Sequence, residues 1–357
     1  MADPRVEAAI ANWAPRFVAQ GVDYNDFLST TSRIERWEEW LDAWSETADR
    51  HFEQGAEAEA VSHRLTAGEA YVRAALCYHF AKFVWMLDAG KHRAAADRAV
   101  ESLYAAHAML DLSAQRLEIP FEAGLMVANL RRPQWVELPP LVLLIPGLDS
   151  TKEEFFNWEN VFLSRGMATL SLDGPGQGET GYSTSIRPDY EVAVTAALEG
   201  LDARDDIDVD HVGAVGVSLG GYYVTRAAAF EPRLRAVTAI GGPFDLGSAW
   251  RGLPPLTKET FMIHSGSGDE REAHEKAASL SLEGVASSIS QPLLVVFGKL
   301  DRLIPWEQAE RLAAEAPDAT LVMYEEGNHA CNNIPYRYRP LVGDWMADQL
   351  KGAGSSP

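Results

Sequence analysis

The sequence predicts an α/β protein: a mostly parallel sheet flanked by helices, with a helical N-terminal region before it. Three observations predict it. Apolar residues recur at helical spacing up to about residue 115. From about Arg116 on, short apolar runs alternate with helix-favouring stretches, the pattern of a parallel sheet covered on both faces. At 357 residues the chain has room for an α/β core of about 220–240 residues plus an added segment. The expected division is a helical domain over 1–115, an α/β domain over 116–350, and a short polar tail over 351–357 that reads as disordered.

In the first region, Trp37, Trp40, Leu41 and Trp44 fall at i, i+3, i+4 and i+7, one apolar stripe of a helix. Thr66-Ala-Gly-Glu69 has capping-box spacing and is expected to open a helix carrying Tyr71, Ala75, Tyr78, Ala81 and Trp85. The alanine-rich stretch Lys91–Leu110 is another helix. Leu117–Phe121 and Gly124–Ala128 read as a short antiparallel pair. Strands are then expected at Leu141–Ile145, Ala168–Leu172, His211–Val217, Leu234–Ile240, Leu293–Phe297 and Thr320–Tyr324. Helices are expected near Glu153–Ser164, Pro188–Leu201, Leu219–Phe230, Trp306–Ala316 and Arg337–Leu350. The stretch 243–288 breaks this rhythm. It lies where strand C-termini emerge, the side on which binding segments grow in open α/β sheets.

Formal net charge is −21. An acidic surface repels phosphate backbones and anionic lipid, so neither nucleic acid nor membrane is expected as a partner. The longest strongly apolar run, Leu141–Pro146, is far too short to span a bilayer, and the N-terminus has neither a basic nor an apolar leader region, so a cytoplasmic location is expected. Two cysteines, Cys77 and Cys331, make neither a disulfide scaffold nor a zinc cluster. Cys77 reads as core. Cys331 stands two residues after His329 and reads as a packing residue near the site. No carboxylate–histidine–cysteine cluster has ligand spacing, and no glycine loop continues into Lys-Ser/Thr, so no metal or cofactor is expected.

Chemistry concentrates at Gly216-Val-Ser218-Leu-Gly220, where a serine sits on a tight turn between an apolar strand and a helix start. The flanking glycines are needed because such a turn leaves no room for a Cβ. A serine hydroxyl needs a base to take its proton, and the base should be a histidine oriented by a carboxylate. Of nine histidines, His51, His63, His79, His92 and His107 precede the serine, His211 starts its strand, and His264 and His274 lie in the 243–288 stretch. His329 alone follows a strand and precedes the closing helix. Asp301 follows Leu293–Phe297 and a glycine turn, which places it at the same end of the sheet. It could otherwise serve as an N-cap, but the helix near Pro305 starts too far away. Two backbone donors should face the reacting oxygen: the N–H of Leu219, next to the serine, and that of Leu148 in the loop after Leu141–Ile145.

These residues together resemble the α/β-hydrolase superfamily over about 116–350. Further stretches are similar to the 2,6-dihydroxypseudooxynicotine hydrolase group, with its polyketide-shortening and FrsA-like relatives. They are Pro146-Gly-Leu-Asp-Ser-Thr-Lys-Glu-Glu154, Asp173-Gly-Pro-Gly-Gln-Gly-Glu179, Gly216-Val-Ser-Leu-Gly-Gly221, Glu231-Pro-Arg-Leu234 and Pro255-Leu-Thr-Lys-Glu259. The resemblance implies an α/β-hydrolase fold with an N-terminal helical cap domain, a possible homodimer, and hydrolysis of a C–C bond next to a ketone on an aromatic or polyketide-like small molecule. It also implies an acid after Leu234–Ile240. Asp245 is the nearest, and from its surroundings it reads first as a loop-structuring residue. Phe156, Trp158, Tyr222, Trp250 and Trp306 are candidate walls of an aromatic pocket, each open to an ordinary core reading. The same three side chains would serve a carboxylesterase, lactonase or thioesterase. A non-catalytic binding protein is the reading from another class, and it gives no reason to keep Ser218, Asp301 and His329 intact.

Overall fold

The computed structural model describes residues 3–351, so the tail expected to be disordered lies, from 352 on, outside the described residues. The chain forms two compact units. One runs up to Ala114 and includes Glu153–Asn157; the other comprises Gln115–Lys152 and the chain from Trp158 onward.

The helical unit contains α1 (Pro4–Gln20), α2 (Tyr24–Thr31), α3 (Trp40–Ala60), α4 (Arg64–Lys82) and α5 (Ala89–Leu110). Asp3, Asp23 and Asp88 cap α1, α2 and α5 by accepting from backbone N–H groups of the first turn. The tryptophan stripe is buried as its spacing predicts: Trp37, Trp40 and Trp44 have no exposed surface. Phe17 stacks on Phe80 with centroids 3.9 Å apart. The indole N–H of Trp40 donates to Phe80 O at 3.0 Å and that of Trp85 to Trp37 O at 2.9 Å, so these two indoles are buried with their polar partners kept. One expectation is corrected. Thr66 opens no helix, because α4 begins at Arg64 with His63 at its N-cap. Ser62 adopts φ +62° and His63 N–H donates to Ala58 O at 2.9 Å, which turns the chain and restarts the helix two residues early.

The second unit is built on one sheet of β1 (Gln115–Phe121), β2 (Gly124–Arg131), β3 (Pro140–Ile145), β4 (Ala168–Asp173), β5 (Asp208–Val217), β6 (Leu234–Ile240), β7 (Leu293–Gly298) and β8 (Ala319–Tyr324). The strand order is β1-β2-β4-β3-β5-β6-β7-β8. β1 and β2 form the expected antiparallel pair, β2 joins β4 antiparallel, and every later pairing is parallel. Leu141–Ile145 is wholly buried, as a central strand covered on both faces must be. The helices are α6 (Phe156–Leu163), α7 (Glu191–Glu199), α8 (Leu219–Phe230), α9 (Leu246–Ala249), α10 (Pro255–His264), α11 (Glu270–Ser279), α12 (Glu307–Glu315) and α13 (Pro335–Leu350). The helix expected from Glu153 begins instead as a 3₁₀ turn over Lys152–Phe155. The stretch that breaks the strand rhythm folds as α9, α10 and α11. Among the described residues, no helix is long and apolar enough to cross a membrane.

Candidate active site

The site begins at the junction of β5 and α8. Ser218 takes φ 56° and ψ −124°, a conformation that costs a non-glycine residue about 1–3 kcal/mol. Neighbours hold it there: Ser218 N–H donates to Ile240 O at 2.8 Å, and Gly221 N–H donates to Ser218 O at 2.8 Å. The turn is sharp enough that a Cβ on Gly216 would fall on the Gly220 carbonyl, and one on Gly220 on the carbonyl oxygens of Ile145 and Pro146. Side chains are therefore excluded at both flanking positions, and the hydroxyl projects beyond the strand end.

His329 lies beyond β8 on a short turn in which Ala330 and Cys331 both take left-handed backbone angles (φ 52° and 54°). Asn328 N–H donates to Asn333 Oδ1 at 2.9 Å, Asn333 N–H donates back to Asn328 Oδ1 at 3.2 Å, and Asn333 Nδ2 donates to Glu326 O at 2.7 Å. This staple fixes the loop that carries the imidazole. Cys331 is fully buried, and burial pushes its thiol up to about 12, so it packs under the loop as a protonated group. Asp301 follows β7. Its Oδ1 accepts from Leu303 and Ile304 N–H at 2.8 and 3.0 Å, which leaves Oδ2 for His329 Nδ1 at 2.8 Å. Asp301 thus has the local turn role as well as the imidazole contact. His329 Nε2 lies 2.8 Å from Ser218 Oγ. The structure therefore brings together the three side chains singled out in the sequence. The Asp301 side chain is wholly buried and His329 is 19% exposed, so the carboxylate is shielded while the imidazole edge stays accessible.

The loop after β3 passes over the serine: a Cβ on Gly147 would stand 3.0 Å from Ser218 Cβ and 3.5 Å from its Oγ. Leu219, the other expected donor, is the first residue of α8, where backbone N–H groups have no intrahelical acceptor.

Two supports of this loop carry no local signal in the sequence. Gln177 Nε2 donates to Pro146 O at 2.5 Å and to Gly147 O at 3.2 Å. Lys152 is buried with its ammonium 2.9 Å from Asp173 and 2.6 Å from Glu179, and its backbone N–H donates to Asp173 Oδ1 at 2.9 Å. The glycine-rich stretch 173–179 reads in the sequence only as a tight loop. Its polar side chains acquire their role from residues some 20–30 positions upstream. Asp173 and Glu179 are a carboxylate pair of the kind that can hold a metal ion, but here the chain's own Lys152 lies against both.

The proposed pocket residues scatter. Trp158 is 1% exposed and packs edge-on to Tyr338, while Tyr222 is wholly buried with its hydroxyl donating to Pro188 O at 2.9 Å. Both show the close packing of the core reading that the sequence left open for them. Trp250 is likewise covered, stacked on His274 with centroids 5.8 Å apart. Phe156 belongs to the helical unit, with its ring 5.6 Å from that of His107. Trp306 is half-buried beneath the Lys299 ammonium. Asp245 caps α9 by accepting from Ser248 N–H at 3.1 Å, the loop-structuring role its surroundings suggest.

Residues 154–353 match the model of the prolyl oligopeptidase family. Over 348 residues the chain is 35% identical to the 2,6-dihydropseudooxynicotine hydrolase of Paenarthrobacter nicotinovorans, which covers 96% of this chain and 93% of that protein. It is 31% identical over 287 residues to the α/β hydrolase pydG of an Acremonium species, covering 71% of this chain and 67% of that one. Among solved structures, the crystal structure of the 2,6-dihydroxy-pseudo-oxynicotine hydrolase matches with a TM-score of 0.87 at 35% identity, over 95% of this chain and 96% of that chain.

Proposed function

The chain belongs to the prolyl oligopeptidase family of α/β hydrolases and is itself a hydrolase, and from that premise we propose that it cleaves a C–C bond next to a ketone with Ser218 as nucleophile, His329 as base and Asp301 as the group orienting the imidazole. The observation that carries the catalytic reading is the unbroken chain of contacts: Ser218 Oγ to His329 Nε2 at 2.8 Å, and His329 Nδ1 to Asp301 Oδ2 at 2.8 Å. The choice of bond rests on similarity to the 2,6-dihydropseudooxynicotine hydrolase along nearly its whole length.

In this mechanism Ser218 Oγ adds to the ketone as its proton passes to Nε2. The Leu148 and Leu219 N–H groups stabilise the oxyanion. Collapse breaks the C–C bond, its electron pair goes to the leaving carbon, and His329 returns the proton there. Water then hydrolyses the acyl-serine by the same route. The leaving carbon must be an enolate or an electron-rich aromatic ring, because an unstabilised carbanion is far too basic to depart. The substrate is accordingly an aromatic or polyketide-like β-diketone or aryl ketone.

A panel of 1,3-diketones, acylated phenols and simple aryl esters tests this on the pure enzyme. Release of a carboxylic acid together with a protonated carbon fragment is expected, and none of it from Ser218→Ala. Rapid turnover of the esters with no diketone cleavage would transfer the same machinery to ester, lactone or thioester hydrolysis.

A further inference from the structure

The amide of Gln177 is 1% exposed, and its orientation is fixed at both ends. Oε1 accepts from Tyr190 OH at 2.7 Å and from Gly174 N–H at 3.1 Å, so the oxygen is committed to that side and the NH₂ is turned to the other. There it donates to two successive carbonyls, Pro146 O at 2.5 Å and Gly147 O at 3.2 Å. A trans peptide is planar, with its C=O and N–H pointing in opposite directions. Holding Gly147 O on one side therefore aims the N–H of the same peptide unit, that of Leu148, to the other. Gly147 itself lies against the Ser218 side chain. The far end of the loop is tied independently, by Lys152 N–H on Asp173.

We propose that Gln177 is a positioning residue that sets the direction of the Leu148 N–H toward the oxyanion, an assignment that rests on the nucleophilic reading of Ser218. Gln177 touches no reacting atom. It acts by preventing the Gly147–Leu148 peptide from rotating, so that the donor needs no reorganisation as charge develops. Tyr190 extends the device: its ring stacks on Tyr223 with centroids 4.0 Å apart, and its hydroxyl holds the glutamine oxygen.

The test uses probes that report on the tetrahedral state without the natural substrate: the labelling rate by a fluorophosphonate and the inhibition constant of an aryl trifluoromethyl ketone. For Gln177→Leu, labelling about 10- to 100-fold slower and ketone binding weakened by a similar factor are expected, since losing an oxyanion donor outright costs about 10²–10³-fold. The pH dependence of labelling should keep its wild-type shape, since Gln177 touches neither the base nor its carboxylate. Tyr190→Phe keeps the ring stack and loosens only the amide, so a loss of about 3- to 10-fold in the same two measurements is expected, and this variant decides the matter if Gln177→Leu does not fold. A lowered melting temperature with wild-type labelling and ketone affinity well below it would overturn the proposal and leave Gln177 a structural residue. Ser218→Ala separates the two readings. If it still binds the ketone like wild type, the nucleophile assignment falls and the Gln177 role with it. If it loses the ketone while Gln177→Leu, or Tyr190→Phe where that variant decides, keeps it, the Gln177 role alone falls.

Discussion

Asp301 divides its carboxylate between two tasks. One oxygen closes the turn after β7 by accepting from Leu303 and Ile304, and the other receives His329 Nδ1. Substitution by asparagine separates them, because the amide oxygen can still close the turn while the NH₂ group, a donor, faces an imidazole nitrogen that must itself donate. The imidazole is then driven to the tautomer that cannot take the serine proton. Asp301→Asn is expected to lower kcat by about 10⁴-fold with little change in melting temperature. Activity near wild type in this variant would show that the carboxylate does not orient the base.

At the scale of elements, the strand–turn–helix from β5 to α8 is held tightly from several sides. β5 pairs in parallel with β3 on one side and β6 on the other, so the strand end cannot shift to relieve crowding at the turn. The backbone of α8 at Gly220 meets the carbonyls of Ile145 and Pro146, which themselves belong to the end of β3 and the loop over the serine. A methyl group there meets backbone, not a flexible side chain. Gly220→Ala is expected to destabilise the protein by about 3 kcal/mol or more, or to yield insoluble protein. Gly252→Ala, at an exposed position with nothing within 4 Å of the added Cβ, should stay within about 0.5 kcal/mol of wild type in the same denaturation experiment. Equal behaviour of the two variants would remove the steric account of the motif.

At the scale of the whole molecule, the helical unit is closed by a buried ionic cluster between α1, α4 and the segment Glu153–Asn157, residues up to 138 positions apart. Arg16 holds Glu154 through two hydrogen bonds of 2.7 Å, Gln20 Nε2 adds one at 2.9 Å, and His79 Nε2 lies 3.1 Å away. Burial opposes the charge on Glu154, but Arg16 and then His79 outweigh it and hold the carboxyl well below its ordinary value of 4.5. Burial, aided by Lys82, lowers His79 from its ordinary value of 6.5. Both folded-state values therefore lie below the unfolded ones. Each contribution is fully present above the unfolded value and is lost as pH falls through the folded one. Stability should decline from near pH 6.5 downward through the histidine and further below pH 4.5 through the glutamate, each with a limiting slope of about 1.4 kcal/mol per pH unit. Glu154→Gln removes the buried carboxylate that receives two Arg16 hydrogen bonds, so a loss of about 3–5 kcal/mol at pH 7 is expected, with a shallower acid limb below pH 4.5. Urea midpoints across pH check both, and a variant as stable as wild type would show that the cluster contributes nothing to folding.

Sequence alone determined the features that depend on local pattern. Strand and helix periodicity gave the parallel sheet and its helical leader. The glycines around Ser218 gave the turn, and chain order along the sheet singled out Asp301 and His329. Each of these is written in neighbouring residues, because pleat, helix turn and turn sterics act over a few positions. Where signals were purely local but the chain reversed nearby, as at Thr66 beside the Ser62 turn, the pattern pointed to the wrong start. Only the tertiary structure decided how the aromatic rings pack, since the sequence gives Trp158 and Tyr222 no sign of their burial or their neighbours. It also decided what Gln177, Lys152 and Glu154 do. Their hydrogen bonds close only when segments 21 to 138 residues apart are brought together, and a polar side chain carries no mark of its partner until packing excludes water from both.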